Sequence, residues 1–198
     1  MSADEIRERI HRLLNAAPVA VLPGEAPSAL HKSIVKAGIL PFLPAPAMEN
    51  WRFLLMQPVA GHSHLGPPKL QLAKGTRMQH TGGAWQDIRG RTSGEAEALS
   101  VTALREGIEE LGLDISGITR LFDAGPVGFI SANTGAEKRM WLFGAQMQSE
   151  DCLLPADYEL ARTTARRAWV STPEFALQVR ADHANIILEA ARRLAEAL

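Results

Sequence analysis

Residues 104–113 read LREGIEELGL, and the rest of the chain is arranged around this stretch. As a helix it places Glu106, Glu109 and Glu110 at i, i+3 and i+4, inside one arc of about 100°. Val101, Leu104, Ile108 and Leu111 form the opposite, apolar stripe. Arg105 stands four residues before Glu109 and can pair with it. Gly112 follows the last apolar residue and ends the helix. An acidic face opposite an apolar one is most often plain solvated surface. Here, however, Glu106 and Glu110 are like charges at i, i+4, at a cost of a few tenths of a kcal/mol, with no Lys or Arg four residues beyond either. A tight carboxylate group suits a hard divalent cation with oxygen ligands, such as Mg²⁺.

The chain has 198 residues, enough for one large domain with decoration. With 21 basic and 22 acidic residues the net charge is -1, which carries no polyelectrolyte signature and leads to the expectation that nucleic acid is not a partner. The one cysteine, Cys152, excludes an internal disulfide framework and a multi-Cys zinc site. It fits a reducing compartment. The opening MSADEIRERIHRLL has no apolar core, so no secretory signal is read there, and no run nears 18 apolar residues. A cytoplasmic protein without membrane partners is expected.

Residues 4–15 carry Ile6, Ile10, Leu13 and Leu14 at helical spacing, with Ser2 as an N-cap. Pro18, Pro23 and Pro27 make the following loop extended, so residues 1–32 read as a helix and arm suited to a homodimer contact. Residues 33–43 and 51–58 are apolar strands, the first limited by Pro41. Residues 59–69 are loop, and Leu70, Leu72 and Ala73-Lys74-Gly75 a short strand and turn. Residues 76–94 form a long loop or small hairpin turning at Gly82-Gly83, of the kind that often serves function. The central helix spans about 97–111. Residues 122–130 and 138–147 form a hairpin through Asn133 and Gly135. A polar loop over 151–164, a strand at 168–170 and a helix start at 171–174 follow. The last helix begins near Asp182, with Ile187, Ala191, Leu194 and Leu198 on one face. Strands, helix, strands, helix is an α+β order with a mixed central sheet flanked by helices, because both apolar stripes need a sheet face.

From Glu97 onward the sequence resembles the Nudix hydrolase box, G-x5-E-x7-R-E-U-x-E-E-x-G-U with U a bulky aliphatic residue. Glu97, Arg105, Glu106, Glu109, Glu110, Gly112 and Leu113 match it. Gly107 stands where the first aliphatic residue belongs, and a helical Gly costs up to about 1 kcal/mol against Ala. Arg91 stands where the box Gly belongs; Gly75, in Leu72-Ala73-Lys74-Gly75, is the best candidate, with an insertion of about sixteen residues before Glu97. Gly90 or Gly94 is the alternative for the turn. The resemblance covers residues 33–198 and implies an α/β/α sandwich.

It also implies a hydrolase that uses Mg²⁺, or Mn²⁺, to cleave a pyrophosphate bond in a nucleoside diphosphate derivative: a dinucleoside polyphosphate, ADP-ribose or a nucleotide sugar. Glu109 and Glu110 would be metal ligands, and Glu106 either a third ligand or the group that activates water. Glu97 either supplies a ligand or holds Arg105, which orients the acidic face. The Gly75 carbonyl is a further candidate ligand, and Lys74 a candidate phosphate contact. Trp85 either stacks on a base or packs the inserted loop. Glu150, Asp151, Asp157 and Glu159 are later candidates for the base. His62 and His64 have no third metal ligand in the sequence nearby, and Arg162, Arg166 and Arg167 read as an exposed helical turn. The alternative from another class is a catalytically silent Nudix module that binds a nucleotide and regulates. Isoprenyl diphosphate isomerisation, which needs a placed cysteine, fits less well.

Overall fold

The strand KAGILPFL, β2 (Lys36–Leu43), is buried over its six inner residues. Such a run needs cover on both faces. Ala37 and Ile39 enter one apolar cluster with α1 (Ala3–Ala16) and α2 (Leu99–Leu111). Leu40 and Phe42 enter a second with α5 (Ala181–Ala197). The computed structural model describes residues 3–16, 20–21, 34–59, 69–81, 84–88, 95–130, 136–155 and 158–198. His62, His64 and the turn residues Gly82, Gly83, Asn133 and Gly135 lie outside them, as do Gly90, Arg91, Gly94 and Asp157.

The sheet order is β1 (Ala20–Val21), β8 (Ile118–Ile130), β9 (Glu137–Met147), β2, β3 (Arg52–Pro58) and β10 (Thr164–Ser171), with β4 (Ala73–Thr76) also paired to β2. β8 and β9 are antiparallel, β2 and β9 parallel, so the sheet is mixed as expected. One edge of β2 is shared. Residues 36–39 pair with β4 and residues 42–43 with β3. Pro41, which lacks an amide hydrogen, falls in the gap between them. The first helix packs onto the domain, with Ile6 and Ile10 buried in the α2-side core.

Three expectations are corrected and one is extended. α2 starts at Leu99, not at residue 97, because the Glu97 amide donates to the Met78 carbonyl at 2.8 Å and keeps the chain extended there. The small hairpin expected in the inserted segment is present as antiparallel β5 (Met78–Thr81) and β6 (Ala84–Asp87), and β7 (Glu95–Ala96) extends it to a separate three-stranded sheet ordered β6, β5, β7. Arg166 and Arg167 lie on β10; only Arg162 is helical, in α3 (Tyr158–Thr163). Leu198 is 49% exposed, whereas Ile187, Ala191 and Leu194 are buried. α4 (Phe175–Gln178) leads into α5 behind a capping box on Ser171 and Glu174.

Candidate metal centre

The unexpected Gly107 has a packing reason. A Cβ there would stand 3.1 Å from Ile39 Cγ2 and 3.3 Å from Leu113 Cδ2, so glycine lets α2 lie close on β2. The helix stops at Gly112, in the left-handed region with φ 58°. Arg167 Nη1 then donates to the carbonyls of Leu111 (2.9 Å) and Leu154 (3.1 Å), and the Thr164 hydroxyl to that of Glu110 (2.7 Å). These β10 side chains satisfy carbonyls that a helix end leaves open. Sequence reading missed them, since only the fold brings β10 to this end.

Arg105 organises the acidic face. Its Nη1 donates to Glu106 (2.7 Å) and Glu109 (2.8 Å), its Nη2 to the Thr76 carbonyl (2.9 Å) and to Glu97 (3.3 Å), and its Nε to Glu97 (3.4 Å). Burial alone would lower its pKa; the three carboxylates outweigh that and raise it, so the guanidinium stays charged. Glu97 holds Arg105 through the bonds from Nη2 and Nε. Its side chain is 1% exposed, and Thr102 Oγ1 donates to its Oε2 at 2.9 Å.

Gly75 lies directly under Glu106: a Cβ on residue 75 would coincide with the Glu106 carboxylate. The neighbouring Lys74 amide donates to Glu110 Oε2 at 3.0 Å. β4 therefore touches two of the three clustered carboxylates through its backbone. Burial lowers the Lys74 pKa, opposed by Glu110. Below it, the Leu72 amide donates to His183 Nδ1 at 3.0 Å. Burial, then the Lys74 charge, holds His183 down at about 3, so it is neutral and anchors α5 to the β4 approach. No sequence signal pointed to His183.

The later acids are placed elsewhere or not at all. Glu150 pairs with Arg52, and its carbonyl accepts from Trp169 Nε1 at 3.2 Å. Asp151 is exposed, and the Glu159 side chain lies outside the described residues. Trp85 is half-buried: the Arg7 guanidinium lies 4.3 Å over its ring, and the His80 ring is 5.3 Å away. Cys152 is half-buried, 3.6 Å from the Ser149 hydroxyl.

Among the described residues no three of His, Cys, Asp and Glu are grouped so as to hold a metal ion. Glu106 and Glu109 are instead drawn together on Arg105. The donor chemistry nevertheless fits a hard divalent cation: oxygen only, anionic and short of compensating charge. Burial raises Glu106 to about 7, against Arg105 and with the help of Glu110 and Glu109. Burial also raises Glu110. A carboxyl raised from 4.5 to about 7 binds more protons folded than unfolded between those values. Its stabilising contribution is present below pH 4.5 and lost as pH rises through 7. With EDTA, the melting temperature is therefore expected to fall over that window, more gently in Glu106→Gln, and Mg²⁺ at pH 8 to restore it. An identical pH slope in Glu106→Gln would remove this assignment.

Three solved structures align along most of this chain. The Nudix domain of Shewanella oneidensis NrtR, complexed with ADP ribose, matches at 16% identity over 98% of this chain and 99% of that one, with a TM-score of 0.53. This chain has the Nudix fold. The Caenorhabditis elegans Ap4A hydrolase binary complex matches at 16% identity over 82% of this chain and 99% of that one, TM-score 0.53. NrtR from the same Shewanella species, complexed with a 27mer DNA, matches at 16% identity over 82% of this chain, TM-score 0.51. The chain spans 62% of that NrtR chain's length, and 64% of NrtR's in a second structure. No protein-family model and no curated protein matches the chain. The DNA complex corrects the expectation of no nucleic-acid partner. A protein containing the Nudix fold is bound to DNA there, and a net charge summed over a chain does not report the local surface that would meet a phosphate backbone. No helix among the described residues is long and apolar enough to cross a membrane.

Proposed function

We propose that this Nudix-fold chain is a divalent-metal-dependent hydrolase of a pyrophosphate bond in a nucleoside diphosphate derivative. One observation carries the reading: Glu106, Glu109 and Glu110 share one helix face, with the first two gathered by Arg105 and Glu106 seated against Gly75. A purely structural helix gains nothing from such crowding of like charges. When bound, Mg²⁺ or Mn²⁺ would neutralise phosphate charge and acidify a water molecule. Glu106, Glu109 and Glu110 would hold it, with the Gly75 carbonyl beside them. Glu106, raised to about 7, is suited to take a proton at a carboxylate oxygen near neutral pH. Arg105 orients the acids, and the Lys74 ammonium offers a phosphate a point charge. Dinucleoside polyphosphates, ADP-ribose and nucleotide sugars are the substrates to try, in keeping with the ADP ribose bound to the NrtR Nudix domain and with the Ap4A hydrolase among the neighbours. A cytoplasmic setting belongs to the proposal, supported by the free Cys152.

The second reading, a silent nucleotide-binding module, is favoured by the lack of a grouped metal trio among the described residues. One assay separates the two: nucleoside monophosphate release from these substrates with Mg²⁺ or Mn²⁺, for wild type and Glu110→Gln. Cleavage by the wild type and a fall in kcat on the order of 10²-fold in Glu110→Gln are expected. Nucleotide binding without cleavage, unchanged in Glu110→Gln, gives the binding module instead.

A further inference from the structure

Arg7 is a buried charge that the hydrolase reading leaves without a task. It sits on α1 at 7% exposure, beside the core residues Ile6 and Ile10. A buried guanidinium needs partners to offset its lost hydration. Its Nη2 is 3.2 Å from Met78 Sδ of β5, and its face lies on Trp85 of β6. Two carboxylates are within ion-pair reach: Asp4 at 3.7 Å, 92% exposed, and Glu97 at 3.6 Å, 1% exposed. The exposed one is screened by water, so the buried Glu97 is the partner that counts. Arg7 Nε, the atom facing Glu97, has no hydrogen-bond partner.

Glu97 is also the carboxylate that competes with Glu106 and Glu109 for Arg105. One guanidinium serves three anions, and its position reflects the balance of their pulls. Positive charge from Arg7, added to that of Arg77, which also acts on Glu97, weakens the pull of Glu97 on Arg105. We propose that Arg7 is a positioning residue of the carboxylate site: by sharing Glu97 it leaves Arg105 Nη1 on Glu106 and Glu109. α1 and the inserted sheet meet at Arg7, and through it they set the geometry of the acidic face. The inference rests on the hydrolase reading for its kinetic consequence only.

Two substitutions test it. Arg7→Met keeps the length and apolar stem and removes the charge; Arg7→Lys keeps the charge. The first readout needs no turnover: the ¹⁵N NMR signal of Arg105 Nε–H and its hydrogen exchange. Arg7→Met is expected to shift that signal and speed its exchange about tenfold, and Arg7→Lys to lie nearer wild type. The second readout is kinetic, on the substrate that wild type cleaves best. Arg7→Met is expected to lower kcat about tenfold with KM within about twofold, and Arg7→Lys to recover at least half of kcat. An unmoved Arg105 signal overturns the inference. So does a loss that follows the folded fraction alone, with Arg7→Lys no better than Arg7→Met. If wild type cleaves nothing, the hydrolase reading fails, while the NMR comparison still decides the role of Arg7.

Discussion

Gly75→Ala is expected to lower hydrolysis at least about 100-fold while leaving the fold intact. The Cβ of the new residue would occupy the volume that now holds the Glu106 carboxylate. The atoms displaced are the far end of a flexible side chain, so the backbone need not move. Glu106 turns away and loses its 2.7 Å bond to Arg105 and its place beside Glu110. The stability cost should stay within about 2 kcal/mol, the range of an ordinary destabilising substitution. Loss of a group that positions or deprotonates water costs about 10²–10⁴-fold in rate. Turnover and urea denaturation on the same preparation check both halves. Near wild-type activity in Gly75→Ala would show that Glu106 need not sit where it does. A collapse of stability would show that β4, not the carboxylate, had been disturbed.

Arg105→Met is expected to have the largest effect on stability, about 3–5 kcal/mol at neutral pH. Removal of one partner of a buried ion pair leaves the other charge in a poorly hydrated site. Here Glu106, 11% exposed, loses its cation outright, and Glu97, 1% exposed, keeps the more distant Arg7 at 3.6 Å. Glu109, at 40%, is rehydrated at little cost. The deficit should shrink in acid. Glu106 already stands at about 7 with Arg105 in place, and losing that cation raises it further. Its protonation in the folded state then relieves the unpaired charge as pH falls. Urea denaturation at pH 5 and pH 8 measures this. A deficit below about 1 kcal/mol, or one equal at both values, would show that Arg105 carries little of the site. Lys at this position should not restore the network, because one ammonium cannot reproduce a planar fork that reaches Glu106, Glu109, Glu97 and the Thr76 carbonyl together.

The layered arrangement was legible because each helix shows one apolar stripe and β2 is apolar on both sides. Those patterns leave few ways to bury the surface. The carboxylate face was legible for the same reason, as its spacing is local. What the sequence could not supply was contact between distant segments. Gly75 and Glu106 are separated by thirty residues, including the inserted sheet, and nothing local says that one carboxylate rests on that glycine. Nor does the spacing divide Glu97 between Arg7 and Arg105, since that depends on how α1 docks. The reading of 166–167 as helical failed because charge and short length hid a strand that pairs with β3. Net charge was too coarse a ground for excluding DNA, because a sum over the chain does not describe any one part of its surface.

The bonds at the C-terminal end of α2 bear on how the site can adapt. Thr164 and Arg167 hold its last carbonyls, while Gly107 presses its middle onto β2. The helix is thus pinned to two strands of the sheet, with little freedom to tilt or slide. Regrouping of Glu106, Glu109 and Glu110 around a cation must then come from side-chain rotation on a fixed backbone. An exposed side chain such as Glu109, at 40%, changes rotamer in picoseconds to nanoseconds, whereas Glu106, 11% exposed, must first break its bond to Arg105. Loading of this site would be limited by the arrival of the ion and the release of Arg105, not by the opening of a gate.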